Sequence, residues 1–353
     1  MRRPLIVLTI AAVLIAGAHM RADDLTVSFF GDYLESLRRQ AGIPGLSAVI
    51  TGPTDVLWER GLGLQNVERA TAAQSTTPYH VDGLTQTITA ALVLRCAEEG
   101  RLTLSDQIGR FDAKSPEATA TIAQVLSHTT GSGESAVFEY RPERVNSLAL
   151  AVQACTGGSF RSAVAGLLDR LAMTDSVPGV DVTQISPLDP GISTASLQRY
   201  AQALERLAVP YLVDRTLHAT ATQYGAAQST LRASGGLVST AIDLARFDLA
   251  LKRGVLLLPD TMDAAWRGVA GAGGQPLPHG LGWFVQSYNG NRIVWQYGVS
   301  DNGSSSLVIT IMPRGMTLVL LANSDGLVRP FAMSAGDVTA SPFGKVFLGI
   351  FAR

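Results

Sequence analysis

The sequence predicts a mixed α/β (α+β) fold in which a sheet is built from both chain ends and a mostly helical lobe is inserted between them. Three observations predict it. Strand-like runs cluster near the start and the end of the chain. Helix-period runs fill the middle. The composition, 46% hydrophobic against 16% charged residues, supplies a large core for one such unit or for two domains. Taken in order, residues 25–40 carry apolar side chains at helical spacing and stop before Gly42, a C-cap signal. Residues 45–51 and 56–61 read as short strands joined by the turn Gly52-Pro53-Thr54-Asp55. Residues 84–99 form an amphipathic helix ended by Gly100. Further helices are predicted over 146–156, 160–171, 197–207 and 240–251. Residues 280–287, 292–297, 305–312 and 316–322 are strand-like, and Pro313-Arg314-Gly315 turns the last two into a hairpin.

Charge excludes several functions. With 28 Lys+Arg against 29 Asp+Glu the net charge is −1, so the basic excess of a nucleic-acid binder is missing. The hydrophobic content excludes a disordered chain. The 35 Gly and 16 Pro follow no period, which excludes a collagen-like repeat.

The first segment reads as an address. Arg2 and Arg3 precede an uncharged apolar run over 5–18 that is too short to span a bilayer, which needs about 20 residues. With the small residues Ala16-Gly17-Ala18, this reads as a secretory signal over 1–22, cleaved after Ala18 or after Ala22. The alternative is a retained anchor. Export to a periplasmic or secreted location implies an oxidising compartment. There Cys96 and Cys155 either pair or remain buried thiols.

Local motifs of chemistry are sparse. His19, His80, His128, His218 and His279 form no His-x-x-x-His pattern, and the two cysteines form no Cys-x-x-Cys, so no metal and no cofactor is expected. The Gly-x-Ser-x-Gly nucleophile elbow is absent as well.

Six segments taken together point further: "AGIPGLSAVIT", "ERGLGLQNVERATAAQSTTPYHVDGLTQTITAALVLRCAEEGRLTLSDQI", "TIAQVLSHTTG", "ASGGLVSTAIDLARF", "HGLGWFV" and "SSSLVITIMPRGMTLVLLAN". In order and spacing they resemble the serine β-lactamase-related hydrolases, which include class C β-lactamases, D-alanyl-D-alanine carboxypeptidases and related esterases. The resemblance covers nearly all of the chain after the signal. It implies an antiparallel sheet flanked by helices, with a sheet lobe at about 23–80 and 230–353 and a helical lobe at about 81–229.

That family's chemistry uses a Ser-x-x-Lys pair on one helix face, a Tyr-x-Asn motif, a Lys-Thr-Gly or His-x-Gly strand, and two backbone N–H groups as an oxyanion hole. By the resemblance, Gly83 occupies the nucleophile position and Gln86 the Lys position. Tyr140-Arg141-Pro142 aligns with Tyr-x-Asn, so Tyr140 is kept and Pro142 replaces the Asn. Gln296-Tyr297-Gly298 aligns with His-x-Gly, so Gly298 is kept and Gln296 replaces the cation. Gly83 cannot attack a carbonyl and Gln86 cannot accept a proton. Loss of the nucleophile alone costs about a millionfold in another serine hydrolase.

No intact catalytic residue is therefore expected. Thr85 faces away from Gly83 on a helical wheel, and Thr87, one turn on, has no neighbouring base. Ser132 and Ser135 read as loop hydroxyls, His128 as a satisfied core histidine, Tyr140 as a relic or a ligand contact, and Asp243 as a helix-start acid. The expected function is a non-catalytic envelope binder of a peptidoglycan-derived peptide or small acyl ligand. The alternatives are a low-rate esterase or peptidase with a rearranged site, and a scaffold that presents a surface to a protein partner. Gly83 is expected to enlarge the pocket by a hydroxymethyl group. Gly83→Ser is expected to restore little by itself, and more when combined with Gln86→Lys.

Overall fold

The computed structural model describes residues 22–131, 136–184 and 189–353. The export signal, up to residue 21, and the loop hydroxyls Ser132 and Ser135 lie outside these residues. The main sheet is antiparallel throughout. Its strands are β1 (Gly45–Thr51), β2 (Val56–Asn66), β3 (Thr71–Ala72), β4 (Phe284–Tyr288), β5 (Asn291–Ser300), β6 (Ser304–Ile311) and β7 (Met316–Ala322). The spatial order is β4-β5-β6-β7-β1-β2-β3, so the two chain ends meet where β7 pairs with β1, Leu46 opposite Ala322 and Val49 opposite Val319. The sheet read from both ends of the sequence is thus the observed one.

Every residue of β1 is buried, which explains its almost unbroken apolar run. Alternate side chains point to opposite faces. Leu46, Ala48 and Ile50 pack with Phe30 and Leu34 of helix α1 (Ala22–Gln40) and with the C-terminal Phe343 and Phe347. Val49, with Val319 and Leu321, faces the other core, which holds Ile88 and Val93 of α2 (Thr85–Glu98). Beyond α2 follow α3 (Ala149–Thr156), α4 (Phe160–Arg170), α5 (Thr194–Glu205), α6 (Ala241–Lys252), α7 (Pro259–Ala265) and α8 (Pro342–Phe351). Cys96 of α2 and Cys155 of α3 form a disulfide, Cα atoms 6.1 Å apart. No helix among the described residues is long and apolar enough to cross a membrane.

Several boundaries differ from the sequence reading, each for a local reason. Strand β2 runs on to Asn66 because its glycines let other backbone approach: a Cβ at Gly61 would sit 1.9 Å from the Ala73 carbonyl oxygen, and Gly63 has φ +69°. The strand expected from residue 280 starts at Phe284, since Gly282 (φ +101°) is pressed against Ala90 of α2 and donates its N–H to the Leu126 carbonyl at 2.9 Å. The helix expected from 146 begins as a 3-10 turn, Pro142–Leu148, before α3. The start of α5 is set by Ser193, whose hydroxyl accepts from the Ser196 N–H. Helices α7 and α8 were not anticipated. Each begins with proline at its first turn, a start signal that the reading did not use.

Candidate functional site

A short bridge, Tyr79–His80 paired with Val238–Ser239, delivers the chain to a 3-10 turn, Asp82–Leu84, which opens into α2. Two serines of β6 fix that turn. Ser306 Oγ donates to the Val81 carbonyl at 2.7 Å, and Ser304 Oγ donates to Asp82 Oδ2 at 2.6 Å. Strand β5 then lies against the turn backbone to backbone. A Cβ at Gly83 would be 2.5 Å from the Tyr297 carbonyl oxygen and 3.2 Å from Gly298 Cα. A Cβ at Gly298 would be 2.2 Å from the Val81 carbonyl oxygen and 2.6 Å from Gly83 N. These two glycines are the contact surface of the turn and the strand.

Beside them is an open cleft of about 430 Å³ lined by Gly83, Tyr140, Pro142 and Gly298, together with Asp82, Arg232, Ser234 and Tyr297. Gln86 and Gln296 do not line it. They are buried behind its wall, 1% and 0% exposed, in a chain of neutral hydrogen bonds. His128 Nε2 lies 3.0 Å from Gln86 Oε1, and Nδ1 accepts from the Arg141 N–H at 3.3 Å, which makes Nε2 the protonated nitrogen. Gln86 Nε2 donates to Tyr140 Oη at 3.0 Å, Tyr140 Oη donates to Gln296 Oε1 at 3.3 Å, and Gln296 Nε2 donates to the Gly282 carbonyl at 3.3 Å.

The electrostatics keep this chain uncharged. Burial, helped by His279 and Arg144, holds His128 well below the usual imidazole range. Burial pushes the Tyr140 hydroxyl well above its ordinary value. Asp82 is also moved: burial raises its carboxyl to about 6, against the Ser304 hydrogen bond, which lowers it. Among the described residues no cluster of three or more His, Cys, Asp or Glu could hold a metal ion.

The β-lactamase family model matches residues 30–338. The chain belongs to the β-lactamase family. Similar solved structures include the octameric penicillin-binding protein homologue from Pyrococcus abyssi, with TM-score 0.70 and 18% identity over 92% of this chain and 77% of that one. The D-alanine carboxypeptidase AmpC from Burkholderia cenocepacia has TM-score 0.68 and 17% identity, covering 93% of this chain and all of that one (100%). These likenesses are of fold. Protein flp of Staphylococcus aureus is 33% identical over 95 residues, which cover 25% of this chain. The match spans only 19% of the length of that curated relative.

In this β-lactamase-family chain two expectations are corrected. Gly83 does not enlarge the pocket by a hydroxymethyl group, because the Tyr297 carbonyl occupies the space where a Cβ would stand. The second correction follows from the first. Gly83→Ser combined with Gln86→Lys cannot rebuild the pair without moving β5, an overpacking cost of about 1–3 kcal/mol. Intact-mass analysis of that double variant with a penicillin is expected to show no acyl adduct, and its melting temperature is expected to fall. An adduct at Gly83→Ser would show that the strand yields.

The remaining candidates are dispersed. Thr85 Oγ1 accepts from the Leu237 N–H at 3.3 Å, and Thr87 Oγ1 donates to the Leu84 carbonyl at 2.7 Å beside a separate small apolar cavity. Asp243 is fully buried at the start of α6, where its Oδ2 accepts from the Asp175 N–H at 2.9 Å and from Ser176 Oγ at 2.8 Å. His128 is a core histidine whose partner is Gln86. The sequence reading did not foresee that contact. Nor did it single out Asp82, Ser234 or Arg232. Asp82 stood directly before Gly83, and Ser234 and Arg232 stood in or beside the "ASGG" segment, so proximity to the aligned motifs was the signal available.

Proposed function

We propose that this chain is an exported, non-catalytic member of the β-lactamase family whose cleft binds a cell-wall peptide or related acyl ligand. The observation that carries the proposal is the packing at Gly83. Replacement of a nucleophilic serine by glycine leaves no attacking oxygen. The approach of the Tyr297 carbonyl to 2.5 Å of the missing Cβ supports loss of the space for one. The position a lysine would hold carries Gln86, bound to His128 and Tyr140. The six aligned positions Gly83, Gln86, Tyr140, Pro142, Gln296 and Gly298 are accordingly assigned as a degenerate site. The cleft itself is open. Export is supported by the Cys96–Cys155 bond, which needs an oxidising compartment, and by the basic-apolar start of the sequence. The same proposal divides the mature chain into a sheet lobe at about 23–80 and 230–353 and a helical lobe at about 81–229. A peptide ligand is consistent with two neighbours, a D-alanine carboxypeptidase and a D-amino acid amidase complexed with L-phenylalanine amide.

A second reading, hydrolysis of low rate at a rearranged site, is favoured by one observation: Ser234 and Asp82 line the same cleft. One experiment separates the two. The mature protein is incubated with a fluorescent penicillin and with a fluorophosphonate, then weighed intact, and its melting is followed with muropeptides. Thermal stabilisation without added mass is the expected result. A stoichiometric adduct, mapped to Ser234 or elsewhere, would replace the binder with an enzyme. Neither response would leave the scaffold reading.

A further inference from the structure

Asp82 and Arg232 are the charged residues that line the cleft, and they carry opposite signs. They are not paired with each other. Ser304 occupies Asp82 Oδ2, whereas Oδ1 has no hydrogen-bond partner among the described residues and is not sealed from solvent. Arg232 is exposed and makes no ion pair or side-chain hydrogen bond among the described residues. Other cleft-side arginines are engaged: Arg144 binds the Thr129 carbonyl and Glu117.

Arg232 nevertheless stands on a rigid mount. Its N–H donates to the Gly235 carbonyl at 2.8 Å, and the Gly235 N–H donates back at 3.2 Å. Thr89 Oγ1 holds the Ala233 carbonyl at 2.7 Å from one side. Asn146 Oδ1 accepts from the Ser234 N–H at 3.0 Å from the other. Asp82 is fixed as firmly, at φ +45°, a left-handed conformation that a short polar side chain tolerates at some cost. Two opposite charges, each on a fixed backbone and each unsatisfied, leave room between them for something that satisfies both.

Building on the proposed binder reading, we infer that the cleft takes a zwitterionic ligand, a free amino acid or short peptide, with its carboxylate at Arg232 and its amine at Asp82. A planar guanidinium matches a carboxylate through two parallel N–H donors. The free oxygen of Asp82 accepts from an ammonium group. A carboxyl that titrates at about 6 is mostly ionised at pH 7.5, the state this role needs.

The test uses alanyl-alanine in D and L forms, its N-acetyl derivative and its C-terminal amide, titrated calorimetrically into the mature protein at pH 7.5. One dipeptide form is expected to bind, and each blocked form to bind at least tenfold more weakly. In Arg232→Gln the penalty for amidation disappears. In Asp82→Asn, where asparagine accepts the same positive φ, the penalty for acetylation disappears. Equal binding of blocked and free forms, or variants that keep both penalties, overturns the inference. If muropeptides stabilise the protein but no dipeptide form binds, the inference falls and the binder reading stands. If an adduct forms in the mass experiment, the binder reading itself falls.

Discussion

Lowering the pH from 6 to 5 is expected to cost this protein about 2–3 kcal/mol of stability, because three imidazoles are buried in a form that cannot take up a proton. Burial holds His80 and His279 at about 3, and His128 is depressed by burial, His279 and Arg144. The sign follows from proton counting. Above about 6.5 both folded and unfolded states carry neutral histidine, so nothing is lost. Below that the unfolded chain binds protons that the folded chain refuses, at about 1.4 kcal/mol per pH unit for each group. Asp82 acts in the opposite direction, since its raised value lets the folded state hold a proton between about 6 and 3.8. Burial also raises Asp243. Three groups outweigh these two. Urea denaturation at pH 7, 6 and 5 measures the slope. His80 is the cleanest probe, because both its nitrogens lack partners and its ring lies 3.8 Å from that of Tyr224. His80→Phe keeps a ring and should remove about 1.4 kcal/mol per pH unit from the slope. Stability that stays flat from pH 7 to 5 would refute this account.

The second large effect is expected from the disulfide. It closes a loop of 59 residues between α2 and α3. By loop-closure entropy this stabilises the folded state by about 4 kcal/mol. Replacing both cysteines by alanine removes little volume, so the loss should be close to that figure. The unfolding midpoint of the double variant should match that of the native chain under a reductant. Identical midpoints with and without reductant, in a sample shown by thiol titration to be reduced, would contradict it.

The fold was legible because its signals are local. The alternation of β1, the Pro313–Gly315 turn and the apolar period of α2 need only neighbours in sequence. The candidate site was legible only in outline. Alignment could place Gly83 and Gln296 at former catalytic positions. It could not show that Gln296 turns into the wall toward Gly282, nor that the Tyr297 carbonyl has closed over Gly83. Those facts depend on how β5 meets a turn more than two hundred residues earlier. Asp82 was overlooked for a related reason. Its significance lies in Ser304 and Arg232, which the chain brings near only after folding. The pairing of Cys96 with Cys155 stayed open because sequence supplies no distance between α2 and α3.

The union of the two chain ends also has a consequence in time. Strand β1 finds one of its neighbours, β7, some 270 residues later, and Phe30 of α1 meets Phe347 and Phe351 in the last helix, with ring centres 5.8 Å and 5.6 Å away. Loss of the final dozen residues would strip that aromatic lid, and a chain still being synthesised cannot complete its central sheet at all. Such non-local topology folds slowly. The polypeptide therefore stays threadable until nearly its last residue has been delivered, and closure of the sheet marks the end of that journey.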